Sequence, residues 1–394
     1  MAEKIMAEII KSCPVDSSSK FDDLRPYRDA EINAAMRRIA ADKKIPGIMH
    51  YVFGKERGAK KMADLHNFKS VRDFQANVMD AAINNIAKKT IDGFTCDGLE
   101  KLDKNKGYLF ISNHRDILLD AALLQIALYS NGFDTSEITF GNNLMQPGLV
   151  TDIGKSNKMF KVIRSGNAKD FYRCSMHLSD YIRYTLTQRH QSVWIAQRNG
   201  RTKNGDDKTS QTILKMFSLS GGKILCKNLS ELNIVPMSIS YQWETCDKMK
   251  VRELFLSQNH PYIKEPGEDM RSIVTGIMQP KGKVHIQICK PIATDELEQL
   301  DNYDRNDALS LLAHIIDRRI YDGYKLWNTN YIAYDMLYNT FKFTNRYTQE
   351  EYRNFSQRMH TTLEQWPDEL LPLMDLYLQI YSNPVVNKLS PEQI

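Results

Sequence analysis

The chain is predicted to fold as an α/β protein: a mixed, mostly parallel sheet flanked by helices, with helical segments before and after it. Three observations predict this. Six short β-rich runs alternate with helical stretches between Phe94 and Leu300, the pattern of a sheet layered with helices. Those runs are apolar almost throughout, which suits strands covered on both faces. Outside that region the apolar residues recur at helical spacing.

In order, the first ninety or so residues read as helical. RDAEINAAMRRIAADKK has helical spacing, with Pro46 and Gly47 expected to stop it, and SVRDFQANVMDAAINNIAKKT runs to about Thr90. The expected strands are Tyr108–Ser112, Glu137–Gly141, Phe160–Arg164, Ser192–Ala196, Ile234–Tyr241 and Val284–Cys289. Between them lie helical stretches such as ILLDAALLQIALYS and FYRCSMHLSDYIRYTLTQ. After about Leu300 the chain returns to helix through ALSLLAHIIDRRIYDGYKL and EEYRNFSQRMHTTLEQW. This divides it into a helical segment (1–93), an α/β core (94–300) and a second helical segment (301–394).

Composition narrows the function. The 394 residues are 42% hydrophobic and 26% charged, ordinary for a folded protein, so disorder is not expected. A net charge of +5 suits an anionic partner such as a phosphate substrate, a nucleotide-bearing thioester or an anionic membrane surface. No run of Lys and Arg is dense enough to favour nucleic acid. The six cysteines are scattered without a C-x-x-C pair, which points to reduced thiols in a cytosolic protein. MAEKIMAEIIKSCPVDSSSK has no long apolar region or cleavage site, so no secretory leader is expected. No stretch reaches the ~18 consecutive apolar residues of a spanning helix, so any meeting with a membrane is expected to be peripheral.

The central motif is Ser112-Asn-His-Arg-Asp-Ile-Leu-Leu-Asp120. A buried strand delivers a polar cluster just before an apolar helix, and strand carboxyl ends are where α/β sheets bind ligands. His114 has carboxylates two and six residues on. One of them can fix its tautomer and leave the other ring nitrogen to accept a proton. The plainer alternative is that Asp116 caps the helix and His114 is a surface turn residue. The His-Arg-Asp triplet is also found in protein-kinase catalytic loops. That reading fails, because Ala121 stands where a kinase has Asn, and no Gly-rich loop or D-F-G accompanies it.

NHRDILLD resembles the first block of the glycerolipid acyltransferase family, which includes glycerol-3-phosphate and lysophosphatidate acyltransferases. NKMFKVIRSG (157–166), VWIAQRNGRTKNG (193–205) and IVPMSISY (234–241) resemble its second, third and fourth blocks, in family order. The resemblance covers roughly Phe94 to Ile292. It implies His114 as general base, oriented by Asp120 or Asp116, with an acyl group moving from acyl-CoA or acyl-carrier protein to a hydroxyl of glycerol 3-phosphate or a lysophospholipid. It implies no cofactor or metal beyond that co-substrate. It also implies a place on the inner, cytosolic face of the membrane. Lys161, Arg164, Arg198, Arg201 and Lys203 would hold phosphates, since the Arg fork pairs two phosphate oxygens at once. Asn113, Arg115, Asn199 and Gly200 belong to the same expected substrate-binding set. Gly200 and Gly205 would let backbone N–H groups approach an anion.

Two departures stand out. The family aspartate sits five residues after the histidine, where this chain has Leu119. The usual glutamate of the third block is replaced by Arg198. The first leaves both Asp116 and Asp120 open. The second leaves room for an amino-acid-lipid acceptor, and the displaced aspartate for a non-catalytic acyl-chain or carrier-protein binding module. The plainer alternatives are a salt bridge for Arg164, a solvated turn for TKNGDDK and a strand start for Pro236. His177, His190, His285 and His314 are read as structural. Trp194 and the tyrosines of 324–338 are read as core, or as an interfacial belt. KERGAKK (55–61) is read as a solvated face, or as a basic patch drawn to anionic lipid.

Overall fold

The structure is a computed structural model and describes residues 20–145, 147–163 and 167–390. Residues 1–19 of the segment read for a leader, Cys13 among them, and Arg164 lie outside these residues. Seven strands, β1 (Ile91–Asp97), β2 (Leu109–Ser112), β3 (Glu137–Gly141), β4 (Met159–Val162), β5 (Val193–Ala196), β6 (Ile234–Tyr241) and β7 (Gly282–Ile288), form one sheet in the order β1-β7-β6-β2-β5-β3-β4. Every neighbouring pair is parallel except β6–β7, which is antiparallel.

Strand side chains alternate between two cores. Leu109, Ile111, Val193, Ile195 and Ile234 face one layer, with the Ala168–Thr187 and Arg305–Asp322 helices packed on it. Phe110, Trp194, Val235, Met237 and Ile239 face the other, under the Leu119–Ser130 helix. That helix is apolar on nearly every side, and nine of its residues, from Leu119 to Leu128, are buried. Each fully buried Leu or Ile contributes about 1.5–3 kcal/mol relative to exposure. Ile316 and Ile320 pack on the sheet, so the first helix after residue 300 belongs to the sheet's own core. Separate apolar clusters hold the N-terminal helices (Ile32 to Val78) and the C-terminal ones (Ile332 to Tyr381, with Val251).

Three expectations need correction. β1 was not among the expected strands. It is an edge strand of half-exposed and exposed residues with a register irregularity near Gly93, so it lacks the continuous apolar run that marks the central strands. Pro46 and Gly47 do not stop the first helix, which ends at Ala41. They lie in the first turn of the next one, Ile45–Phe53, where proline's missing N–H costs nothing. Pro236 lies inside β6 rather than at its start, paired beside Ile111 of β2.

Topology also places the site. After β2 the chain crosses over one face through Leu119–Ser130 to β3. After the adjacent β5 it crosses over the other face, through Gln211–Phe217 and Leu225–Ser230, to β6. The connections of β2 and β5 therefore diverge, and a crevice opens at their carboxyl ends.

Candidate active site

His114 sits in that crevice, two residues beyond the end of β2. Its Nδ1 is 2.8 Å from Asp120 Oδ2. The same oxygen accepts the backbone N–H of Arg115 at 2.6 Å and of Asp116 at 2.9 Å, while Oδ1 accepts the Tyr241 hydroxyl at 2.7 Å. Asp120 is fully buried. Since it accepts at every contact, Nδ1 carries the proton and Nε2 is the basic nitrogen. The imidazole stands edge-on to Trp194, with ring centroids 5.6 Å apart, and Trp194 donates its Nε1–H to Ser112 Oγ at 3.2 Å. The peptide oxygen of His114 accepts the Thr202 N–H at 2.8 Å, which ties the turn to the loop after β5.

Asp116 does something else. Its Oδ1 accepts the N–H groups of Leu118 and Leu119 at 2.9 and 2.8 Å, and so caps the start of the buried helix. Among the described residues its Oδ2 has no hydrogen-bond partner, and it lies against Gly276, where an added Cβ would come within 2.2 Å of it. The pairing of His114 with Asp116 is not found.

His114 lines a cavity of about 530 Å³. Arg198, Asn199, Gly200, Arg201 and Lys203 line it too, as do Asp269, from the Glu268–Met278 helix, and Lys264, from the stretch before it. Ile117, Leu118, Ala121, Ile138, Phe140, Met159 and Trp194 make its apolar part. Arg201 is only 8% exposed, and its Nη1 has no hydrogen-bond partner among the described residues. A buried guanidinium N–H without an acceptor calls for an anion or water. Lys203 pairs with Glu253, and Lys264 pairs with Asp269 at 2.6 Å. Burial, reinforced by Arg201, pushes the Lys203 ammonium down to about 8 against the pull of Glu253. Gly200 has φ +75°, a left-handed conformation that suits glycine at the cavity wall.

Four other expected binding residues are not in this cavity. Asn113 is spent on the fold: it donates to Asp207 and to the Ile239 carbonyl, and accepts the Ile239 N–H at 2.8 Å. Arg115 is buried with Asp207 at 2.7 Å and Glu244 at 3.4 Å. Burial works against its charge, but these two carboxylates outweigh it and raise the guanidinium above its usual range. Lys161, on the edge strand β4, is half-buried and does not line the cavity. Gly205 meets the C-terminal helix instead of an anion: a Cβ there would come within 2.2 Å of the Ile380 carbonyl oxygen.

Sequence reasoning missed Tyr241, Lys264, Asp269 and the role of Trp194 beside the imidazole. The fourth motif ends on Tyr241, so position alone would have flagged it; nothing in sequence marks Lys264 or Asp269. A larger cavity, about 830 Å³, opens at the opposite ends of β3 and β4, around Glu137, Lys158 and Arg189. There Arg189 is paired with Glu137, Lys20 with Asp180 and Arg25 with Glu31, and no histidine lines it. The smaller cavity is the one with a base and, among the described residues, a guanidinium nitrogen without an acceptor.

No protein-family model and no curated protein matches the chain. Among solved structures, it is similar to the 1-acyl-sn-glycerophosphate (LPA) acyltransferase PlsC from Thermotoga maritima, at 13% identity and a TM-score of 0.33. The similarity covers 71% of this chain and 94% of that one. At so low a score the likeness carries no weight for fold or function.

Proposed function

We propose that the protein is an acyltransferase that moves a fatty acyl group from an acyl thioester to the hydroxyl of a glycerophosphate-type lipid precursor. One observation carries the reading: an imidazole held by a buried carboxylate lines a cavity that Arg201 lines as well, and Arg201 Nη1 has no hydrogen-bond partner among the described residues. In the proposed step Nε2 of His114 takes the acceptor's hydroxyl proton while that oxygen attacks the thioester carbon. The C–O bond forms, the C–S bond breaks, and the imidazolium returns its proton to the leaving thiolate. Asp120 steadies the imidazolium through its Nδ1–H. Arg201, with Arg198 and Lys203, holds the phosphate, and the apolar wall takes the start of the acyl chain. Coenzyme A and acyl-carrier protein are both donors in this scheme.

We extend the reading to a protein that works on the cytosol-facing surface of a membrane. No helix of the described residues is long and apolar enough to cross one. Met270, Val274 and Met278 are exposed at four-residue spacing on the helix that supplies Asp269 to the cavity, which suits an acceptor presented by a lipid surface.

The test is thiol release from acyl-CoA or acyl-carrier protein by the purified chain. Release that depends on glycerol 3-phosphate or a lysophospholipid, and falls about 10³-fold or more in His114→Ala, is the expected result. An unchanged rate in that variant removes the mechanism. A preference for an amino-acid-lipid acceptor would retain it and replace the substrate.

A further inference from the structure

Asp120 is bound unevenly. Oδ2 takes three donors, the His114 ring and two backbone N–H groups, whereas among the described residues Oδ1 takes only the hydroxyl of Tyr241. The torsion that turns a carboxylate is soft, so donors gathered on one oxygen leave the group free to swing about it. An oxygen buried without a donor is costly, so Oδ1 left alone would draw the carboxylate round towards any other donor. Tyr241 is well placed to prevent this. It is the last residue of β6, paired beside Val284 of β7, and its ring packs in the core with Leu119 and Ile286. The neighbouring Ile239 on the same strand holds Asn113 by both its N–H and its carbonyl. The end of β6 therefore grips the His114 turn at the residue before the histidine and at the carboxylate behind it.

We propose that Tyr241 is a positioning residue for the transfer: its hydroxyl holds Asp120 so that His114 keeps its proton on Nδ1 and presents a bare Nε2 to the cavity. The proposal rests on the acyl-transfer reading for its rate effect, but not for its effect on the ring. Tyr241 stays a donor at every working pH, since burial and the charges of Asp120 and Asp116 raise its phenol well above the ordinary range. By binding Oδ1 it also spreads the carboxylate's charge, so the imidazolium formed during transfer keeps its Nδ1 proton.

Nitrogen-15 NMR of the histidine rings tests this in Tyr241→Phe, which keeps the packing ring and removes only the hydroxyl; His114→Gln assigns the signal. In the unaltered protein the neutral His114 ring is expected as the Nδ1–H tautomer alone. In the variant a fraction in the Nε2–H form appears. kcat falls roughly ten- to a hundredfold, while KM for the acceptor stays within about twofold. Tyr241→Met, without hydroxyl or ring, gives the same two changes if the Phe variant folds poorly. A folded variant with an unchanged tautomer and kcat within about threefold overturns the proposal. Should no acyl transfer be found in the unaltered protein, the tautomer still decides the role of Tyr241, so the two failures are told apart.

Discussion

Asp116 and Asp120 are both buried and both within six residues of His114, so proximity along the chain does not choose between them. Hydrogen bonding does: Asp116 spends one oxygen capping a helix, and Asp120 turns one towards the ring. Capping and catalysis draw on the same residue types at a helix start, which is why the sequence left both open. Arg201 and Lys203 were legible from their place in the third motif. Arg115 was not: a cation next to a candidate base reads as a ligand-binding group until its buried partners, Asp207 and Glu244, are seen. Lys203 supplies a pH dependence. Its depressed value means that it loses charge as pH rises through about 8, well before an ordinary lysine. KM for a phosphorylated acceptor is therefore expected to climb several-fold between about pH 7 and 9, and Lys203→Arg, which stays charged, should flatten the climb. Steady-state kinetics across that range checks it, and a KM for the unaltered enzyme that is flat to about pH 10 would speak against the assignment.

Among the elements, the central strands were readable because burial on both faces demands unbroken apolar runs. The edge strand β1 was not, because half of its surface answers to solvent. The plainer alternative for TKNGDDK (202–208) was a solvated turn, yet Asp207 in it is fully buried and accepts from Asn113, Arg115 and Tyr324. That buried network joins three elements distant in sequence: the β2 turn, the β5 loop and the stretch after the Arg305–Asp322 helix. Lys250 completes it by donating to the Arg115 carbonyl at 2.8 Å and pairing with Glu244. Removing one member strands the others without a countercharge. Arg115→Met is expected to cost about 3–5 kcal/mol in urea unfolding, whereas Arg198→Met, at the cavity wall, should change stability by under about 0.5 kcal/mol. Equal stability of the two variants would mean that the network is not what holds the loop.

For the molecule as a whole, function follows from where the connections diverge. β2 and β5 send their crossovers to opposite faces, and the crevice between them collects a base from one loop and cations from the other. The C-terminal helix meets the β5 loop away from that cavity, at Gly205 and Ile380. The alternation of strand and helix made this architecture legible, whereas the one-residue displacement of the family aspartate hid how the base is held. The most direct test is to compare kcat/KM for acyl transfer in Asp120→Asn and Asp116→Asn. The first is expected to fall about a hundredfold or more, because the ring loses its anchor and its tautomer. The second should stay within a few-fold, because the side-chain oxygen of Asn can cap the helix about as well as that of Asp. The reverse order, a crippled Asp116→Asn and a near-normal Asp120→Asn, would contradict the account.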